Sequence, residues 1–172
     1  MKSIHIALAG NPNAGKTSIF NSLTGSHQHV GNWPGKTVEK KEGFFLRDET
    51  EFRIVDLPGT YSLSAYSPEE VIARDYIINE KPNVVVVVVD AANLERNLYL
   101  AVQVLELEVP VVLAMNMMDV AESRGHTIDL DKISQALHVP VVQTVARRSK
   151  GLEALVETVQ KVAEDSPTYD HA

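Results

Sequence analysis

Short apolar stretches of strand length alternate along the chain with amphipathic stretches of helical length. Residues 84–89 are six consecutive valines, and such an unbroken β-branched run is typical of a strand buried on both faces of a mainly parallel sheet. Residues 94–105 and 152–162 carry apolar side chains at helical spacing, which predicts an amphipathic helix in each. The alternation predicts an α/β fold in three layers, with helices on both faces of one sheet.

The same patterns predict the number and order of the elements. The predicted strands are residues 4–9, 38–47, 51–55, 84–89, 109–115 and 139–142, and the predicted helices begin near Ser18, Pro68, Leu94, Leu130 and Leu152. Ser67 and Asp129 precede two of these helices as N-cap residues. The strands at 38–47 and 51–55 should form a hairpin, so we expect a mixed six-stranded sheet, mostly parallel with one antiparallel edge pair. Residues 26–36 are polar and contain Gly and Pro, which predicts a long mobile loop.

Composition and charge suit one globular domain. The chain has 172 residues, of which 44% are hydrophobic and 23% are charged. We place the domain at residues 1–164 and expect residues 165–172 to be a tail or the start of a linker. A formal net charge of −7 argues against nucleic acid as a partner, because phosphate backbones are bound by basic faces. No apolar run approaches the roughly 20 residues that span a bilayer, so we expect this stretch of chain to be soluble.

Residues 10–17, Gly-Asn-Pro-Asn-Ala-Gly-Lys-Thr, match the phosphate-binding pattern G-x-x-x-x-G-K-[ST] in full. The match lies between a predicted strand and a predicted helix, as this loop (the P loop) requires. Backbone N–H groups of such a loop converge on one point and favour a di- or triphosphate. We therefore expect Lys16 to contact the β- and γ-phosphates and the Thr17 hydroxyl to ligate Mg²⁺.

Two predicted strands end at an aspartate that could serve the metal ion. Asp56 is followed by Leu-Pro-Gly, so Gly59 stands three residues later, where its amide can sense a γ-phosphate. Asp90 follows the valine strand, which is the Walker B pattern of ATPases. Because only Asp56 has the following glycine, the sequence favours Asp56 and leaves Asp90 as the rival.

Asn116 and Asp119 follow the predicted strand at 109–115, at the edge of the sheet where ligands of open α/β folds bind. The carboxylate of Asp119 can accept hydrogen bonds from the ring N–H and the exocyclic amine of guanine together. Adenine offers neither in that place, so a buried Asp119 would discriminate against it. Val145 and Ala146 end the next strand and can offer a backbone N–H to the guanine carbonyl.

Three longer stretches carry a more specific pattern. They are residues 10–17, Val-Gly-Asn-Trp-Pro-Gly-Lys-Thr-Val-Glu at 30–39, and Asp-Leu-Pro-Gly-Thr-Tyr-Ser-Leu at 56–63. Together with Asn116 and Asp119 they resemble the cytosolic G domain of the ferrous iron transport protein B family, over nearly the whole chain. The resemblance implies the P-loop GTPase (Ras-like) fold and a GTP-binding, GTP-hydrolysing switch domain of a ferrous iron membrane transporter.

The resemblance also implies the site residues, with Mg²⁺ held by Thr17, Asp56 and the switch I residue Thr37. Catalysis would involve Lys16, Asn13, Thr37 and Gly59. The guanine nucleotide, GTP or GDP, would be bound by Asn11, Pro12, Asn13, Ala14, Gly15, Lys16, Thr17, Ser18, Gly35, Thr37, Asp56, Gly59, Asn116, Met117, Asp119, Val145 and Ala146.

A potassium ion is the second cation that the resemblance implies, held by Asn13 and by backbone carbonyls near Gly31 and Trp33. A physical reason for this ion is that Thr60 occupies the position where Ras-like enzymes carry a water-positioning glutamine. A monovalent cation between the phosphates would supply the positive charge that an arginine finger otherwise provides. Met117 replaces the lysine that most GTPases have after the motif asparagine, so it offers apolar packing alone.

The implied partners follow from the family's longer proteins, which continue into a helical domain and a transmembrane permease. This places the domain at the cytoplasmic face of the inner (plasma) membrane, with homo-oligomerisation as a further option.

Two other functions stay open: a nucleotide-gated binding module with negligible turnover, and a P-loop ATPase using Asp90. Outside these motifs we expect solvated loop residues at His27 and His29 and a solvated basic cluster at Arg147, Arg148 and Lys150; Trp33 is expected either exposed or packed as a lid.

Overall fold

The structure of the chain, a computed structural model, describes residues 2–166 and centres on a mixed sheet. The strands are β1 (Lys2–Gly10), β2 (Gln28–Asn32), β3 (Glu39–Arg47), β4 (Thr50–Asp56), β5 (Val84–Asp90), β6 (Val111–Asn116) and β7 (Val141–Gln143). The helices are α1 (Lys16–Thr24), α2 (Pro68–Glu80), α3 (Leu94–Leu105), α4 (Met118–Ser123), α5 (Leu130–Leu137) and α6 (Leu152–Asp165). Two short 3-10 turns cover Ala91–Asn93 and Ala146–Arg148.

The strand order across the sheet is β2-β3-β4-β1-β5-β6-β7. The five strands from β4 to β7 in that order are parallel to one another, while β3 runs antiparallel to both of its neighbours. This confirms the predicted α/β fold, a mostly parallel sheet with the hairpin of β3 and β4 at one side.

The apolar core lies on both faces of the sheet, and β5 shows how one strand serves both. Val85, Val87 and Val89 pack with residues of α2, α3 and α4 in one cluster, whereas the intervening valines pack with α1 and α6 in the other. Because successive side chains of a strand point to opposite faces, the valine run fills both layers of core at once. The three predicted layers are therefore present.

The sheet has seven strands rather than the predicted six, because part of the predicted mobile loop at residues 26–36 is a strand. Gln28–Asn32 pairs antiparallel with β3, from Gln28 opposite Gly43 to Asn32 opposite Glu39. The segment is polar, contains a glycine and shows no apolar alternation, so local propensity does not mark it as a strand. Backbone pairing to β3 holds it as an edge strand, which illustrates how context outweighs β-propensity.

Helix starts follow the predicted N-caps. The Ser67 hydroxyl accepts a hydrogen bond from the Glu70 N–H at 3.2 Å, and the Asp129 carboxylate accepts one from the Lys132 N–H at 3.1 Å. Each cap satisfies an amide that the first helical turn leaves without a partner. The short helix α4 has no counterpart among the predicted elements.

Helix α6 continues through Asp165, so the predicted tail begins inside a helix at its first residue. Most of that tail, residues 167–172, lies outside the described residues, as does residue 1. Between residues 2 and 166 no helix has the length and apolar character needed to cross a bilayer.

Candidate nucleotide-binding site

The carboxyl ends of the parallel strands meet at one edge of the sheet. In the strand register, Leu8 lies beside Asp56, Gly10 beside Val88, and Asp90 beside Asn116. The residues that follow these positions form the loops at this edge, where the sequence predicts the ligand. The P loop, the segment after Asp56 and the segment after Asn116 are thus brought together by topology.

The P loop folds back on itself and ends at the N-terminus of α1. The Ala14 N–H donates to the carbonyl of Asn11 at 3.1 Å, and two residues have positive φ, Asn13 at 68° and Gly15 at 103°. Thr17 and Ser18 are exposed in the first turn of α1. The helix thereby offers its first N–H groups and the positive end of its dipole at the sheet edge.

Two glycines of the loop are required by close contacts. A Cβ on Gly10 would lie 2.8 Å from the carbonyl oxygen of Val88, and a Cβ on Gly15 would lie 2.0 Å from Nδ2 of Asn116. Neither distance is compatible with a side chain, so the loop backbone packs directly against the neighbouring strand β5 and against the residue that ends β6.

Lys16 forms a buried ion pair with Asp56. The Lys16 Nζ lies 2.6 Å from Asp56 Oδ1, and the two side chains are 9% and 7% exposed. The pair joins the residue expected to contact phosphates to the residue expected to serve Mg²⁺. In the structure each group therefore neutralises the other, as buried charges require.

The segment after β4 packs closely against the P loop. The Leu57 N–H donates to the Leu8 carbonyl at 3.0 Å, and the Thr60 N–H donates to the Gly10 carbonyl at 3.0 Å. A Cβ on Gly59 would lie 3.2 Å from Cα of Pro12. Gly59 therefore sits against the loop in a space that a larger residue would enter only by displacing it.

Asn116 connects three loops through its buried side-chain amide. Its Nδ2 donates to the Ala14 carbonyl at 3.0 Å, and its Oδ1 accepts from the Thr144 hydroxyl at 3.1 Å and from the Ala146 N–H at 3.0 Å. These bonds fix the P loop and the Ala146 turn relative to the end of β6. The sequence predicts Asn116 and Ala146 as binding residues, but this linking role of Asn116 and the part of Thr144 were missed.

Asp119 stands next to these bonds with one oxygen paired and one not. Its Oδ2 forms an ion pair with Nη2 of Arg147, and this hydrogen bond lowers the pKa of the Asp119 carboxyl. Its Oδ1 is buried and has no hydrogen-bond partner among residues 2–166. Arg147 is exposed, as predicted, but its guanidinium is also held by Asp119, a contact that the sequence does not predict. Met117, with φ of 62°, precedes α4, and its Cε lies 3.9 Å from the Cβ position of Gly15.

The rival metal residue Asp90 is engaged elsewhere. Its Oδ1 accepts from the Ala92 N–H at 2.8 Å, and its Oδ2 accepts from Nδ2 of Asn93 at 2.8 Å. Both oxygens thus cap the 3-10 turn that follows β5, whereas Asp56 faces Lys16.

The switch I segment lies at the same edge but is attached differently. Trp33 is 7% exposed and packs edge-on against Tyr76, with 5.5 Å between ring centroids, so the packed reading of Trp33 holds. The backbone N–H of Trp33 donates to the Val38 carbonyl, and the Trp33 carbonyl accepts from the Lys36 N–H, both at 2.9 Å. Within residues 2–166 no hydrogen bond joins Thr37 to the P loop. Of the other predicted residues, Asn13, Gly35 and Thr37 are exposed, and Gly31 in β2 is paired with Lys40 of β3.

These features together define the class of protein: a G domain, that is, a P-loop domain that binds guanine nucleotide. A family model described as "Ferrous iron transport protein B" matches residues 4–159. The chain belongs to this family, as its N-terminal G domain.

Relatives of known sequence and structure agree with this assignment. The chain is 52% identical over 162 residues to an Fe(2+) transport protein A/Fe(2+) transporter FeoB fusion protein of Porphyromonas gingivalis, and 50% identical over 159 residues to the Fe(2+) transporter FeoB of Escherichia coli. These matches cover 94% and 90% of the chain but 19% and 21% of the relatives. The chain thus spans about a fifth of the length of these curated relatives.

Solved structures of FeoB domains have the same fold. The FeoB G domain from Methanococcus jannaschii is 49% identical with a TM-score of 0.85, and the match covers 96% of this chain and all of that one. The cytosolic domain of T. maritima FeoB in its GMPPNP form is 45% identical with a TM-score of 0.92, covering 98% of this chain and 67% of that one.

Proposed function

We propose that this domain binds and hydrolyses GTP and serves as the switch of a ferrous iron membrane transporter. The observation that carries the proposal is the base site: a carboxylate, Asp119, whose buried Oδ1 has no partner in the described structure, beside a P loop that Asn116 holds in place. Guanine presents two adjacent N–H donors that match such a carboxylate, and adenine does not, so the site favours GTP over ATP. The T. maritima relative is described in GDP and GMPPNP forms, which supports the same ligand here.

The residues of the phosphate site fit Mg²⁺, which prefers oxygen ligands and retains part of its water shell. The Thr17 hydroxyl is exposed in the first turn of α1, and the Asp56 carboxylate lies beside the P loop. These two residues, with Thr37 from switch I, would hold the ion, which would neutralise charge on the phosphate oxygens. Lys16 would then exchange part of its contact with Asp56 for contacts with the β- and γ-phosphates.

In addition to Lys16, hydrolysis calls for a positive charge of the kind that an arginine finger supplies in other GTPases. Thr60, at the position of the Ras-type glutamine, is buried and tied by its N–H to Gly10, so it is badly placed to orient water. Asn13 projects from the P loop with an exposed side chain. We assign Asn13 as a ligand of K⁺, with carbonyls of Gly31 and Trp33 completing the shell once the Lys36 N–H releases the Trp33 carbonyl.

Two other functions receive less support. An ATPase built on Asp90 would need that carboxylate to leave the 3-10 turn that both its oxygens cap. A binding module with negligible turnover would use the same site, so geometry alone does not separate it from a GTPase.

Loss of the γ-phosphate would release the segments around Thr37 and Gly59, in the manner of other GTPase switches. In the full-length protein this change would pass to the helical and transmembrane parts, with the domain on the cytoplasmic side. Oligomerisation of the whole transporter belongs to the same proposal.

The decisive experiment measures GTP hydrolysis with Mg²⁺, in KCl and in NaCl. It compares the parent chain with Asn13→Ala and with a matched control, Asn79→Ala, at an exposed position of α2. We expect K⁺ to raise turnover at least about tenfold over Na⁺, with Asn13→Ala abolishing the difference and Asn79→Ala retaining it. Equal rates in both salts would remove the K⁺ assignment. Absence of single-turnover hydrolysis in both salts would favour the binding module, and equal displacement of labelled GTP by ATP and GTP would contradict guanine specificity.

A further inference from the structure

Arg147 pairs with the carboxylate at which the base is proposed to bind. It lies in the 3-10 turn Ala146–Arg148, one residue after the Ala146 N–H that bonds to Asn116, and its guanidinium pairs with Oδ2 of Asp119. The Arg147 side chain is 63% exposed, whereas that of Asp119 is 23% exposed. The pair therefore joins a long side chain on the surface to a carboxylate that is mostly enclosed.

The backbone that carries Arg147 is fixed on both sides. Ala146 is tied to Asn116, and Val145 exchanges two backbone hydrogen bonds with Lys150, each 3.1 Å long. Gly151 then passes so close to β7 that a Cβ there would lie 2.2 Å from the Gln143 carbonyl oxygen. Movement at this site is thus left to the Arg147 side chain rather than to its loop.

The guanidinium and the base would both use Oδ2 of Asp119. Guanine needs both oxygens of Asp119 for its two N–H groups, and in the structure Oδ2 is taken by Arg147 while Oδ1 has no partner in residues 2–166. A guanidinium is a charged donor and holds a carboxylate more strongly than a neutral N–H does. Arg147 consequently competes with the base.

We propose that Arg147 is a latch on the base pocket: it holds Asp119 when the site is empty, must release it for guanine to bind, and recaptures it as the nucleotide leaves. This inference rests on the proposed guanine-binding function and adds a residue that sets its affinity and exchange rate.

The size of the effect follows from the exposure of Arg147. Ion pairs with one well-solvated partner stabilise by a modest amount and are screened by salt. Removing the guanidinium should therefore tighten GDP binding by about two- to fivefold, with a similar decrease in the GDP dissociation rate. A general charge effect has the opposite sign, because loss of a cation near a polyanionic ligand weakens binding.

The test measures GDP and ADP dissociation constants and GDP release rates for the parent, Arg147→Gln, Arg147→Lys and the matched control Arg148→Gln, each at low and high KCl. The latch predicts tighter GDP binding and slower release for Arg147→Gln, an intermediate value for Arg147→Lys, no gain in ADP affinity, and a difference from the parent that shrinks in high salt. Arg148→Gln, in the same exposed turn, should bind GDP no more tightly than the parent.

Unchanged or weaker GDP binding by Arg147→Gln, with normal binding by the parent, would overturn the latch and leave the proposed function intact. An equal gain for ADP would overturn it as well, since adenine does not use Asp119. A parent chain that binds no GDP would instead overturn the proposed function, and the latch with it.

Discussion

The P loop and the switch I segment, residues 33–38, lie at the same edge of the sheet but are held in different ways. The P loop is fixed by the buried amide of Asn116, by the Lys16–Asp56 pair and by backbone contact with Gly59. Switch I is fixed mainly by one aromatic anchor, Trp33, and the four residues that follow it, 34–37, are exposed. The comparison indicates that the nucleotide site is largely preformed, whereas the proposed sensing of the γ-phosphate would require switch I to move.

Switch II, the segment after Asp56 that contains Gly59 and Leu63, is held less firmly than the P loop and more firmly than switch I. Gly59 packs on the P loop at one end, and farther along the Leu63 N–H donates to Oε1 of Gln103 in α3 at 2.6 Å. The Leu63 side chain is buried in the same core cluster as Trp33. Both switches are therefore anchored by buried apolar side chains in the core that underlies α2 and α3.

The largest effect is expected at Lys16, in the preformed region. Lys16→Met removes charge-assisted hydrogen bonds to phosphate, each worth about 2 kcal/mol, so the GDP dissociation constant should rise about 1000-fold, measured by calorimetric titration. Lys161→Met, at an exposed position of α6, should bind as the parent does.

Folding is separated from binding by a second variant. Because Lys16→Met alone leaves the Asp56 carboxylate buried without its cation, it should also lower the free energy of unfolding by a few kcal/mol. Lys16→Met combined with Asp56→Asn should recover most of that stability and still fail to bind. Recovery of binding in the double variant would contradict the role given to Lys16.

The next effect is expected at Asp119, in the base site. Asp119→Asn replaces one acceptor by a donor, which then faces a donor of guanine, so the GDP dissociation constant should rise about 100-fold. ADP binding should change little, which makes the ratio of the two constants the informative quantity. Asp131→Asn on exposed α5 is the control, and an equal loss for both nucleotides would show that Asp119 does not read the base.

A variant at Gly15 tests whether direct packing against Asn116 makes the P loop rigid. Gly15→Ala forces a Cβ onto the Asn116 amide at a φ of 103°, so the free energy of unfolding should fall by about 3 kcal/mol, from overpacking and backbone strain together. Gly125→Ala shares positive φ but meets no atom within 4 Å, and should lose about 1 kcal/mol. If urea titrations gave similar losses of unfolding free energy for Gly15→Ala and Gly125→Ala, the contact with Asn116 would be able to relax.

The smallest effect on affinity is expected at Thr37, in the exposed part of switch I. Because Thr37 is exposed and is joined to the P loop by no described hydrogen bond, Thr37→Ala should change the GDP dissociation constant by less than about twofold. GTP turnover should fall at least about tenfold, since a Mg²⁺ ligand that acts with the γ-phosphate is lost. Thr127→Ala is the exposed control, and a large loss of GDP affinity at Thr37 would show that switch I already takes part in binding the diphosphate.

Much of this architecture could be predicted from local patterns. The valine strand, the Ser67 and Asp129 caps and the motif loops all have short-range signals, and the structure places the motif loops together at one edge. The strand Gln28–Asn32 could not be predicted in the same way, because its pairing partner β3 determines it and its own residues are polar.

The ion pairs of the site were also beyond sequence reasoning. Lys16 pairs with a residue 40 positions away, and Arg147 with one 28 positions away. Nothing in the local sequence distinguishes Arg147 from the neighbouring Arg148, which carries the same charge in the same turn. Only the fold shows which of the two faces Asp119.

The most direct measurement is a crystal structure of the chain with Mg²⁺ and a non-hydrolysable GTP analogue. We expect the purine to contact both oxygens of Asp119, with the phosphates on residues 10–17, the backbone of the P loop and of residues 116–119 essentially unmoved, and switch I shifted so that Thr37 approaches the γ-phosphate. A purine bound away from Asp119, or an analogue absent from the P loop, would contradict the account.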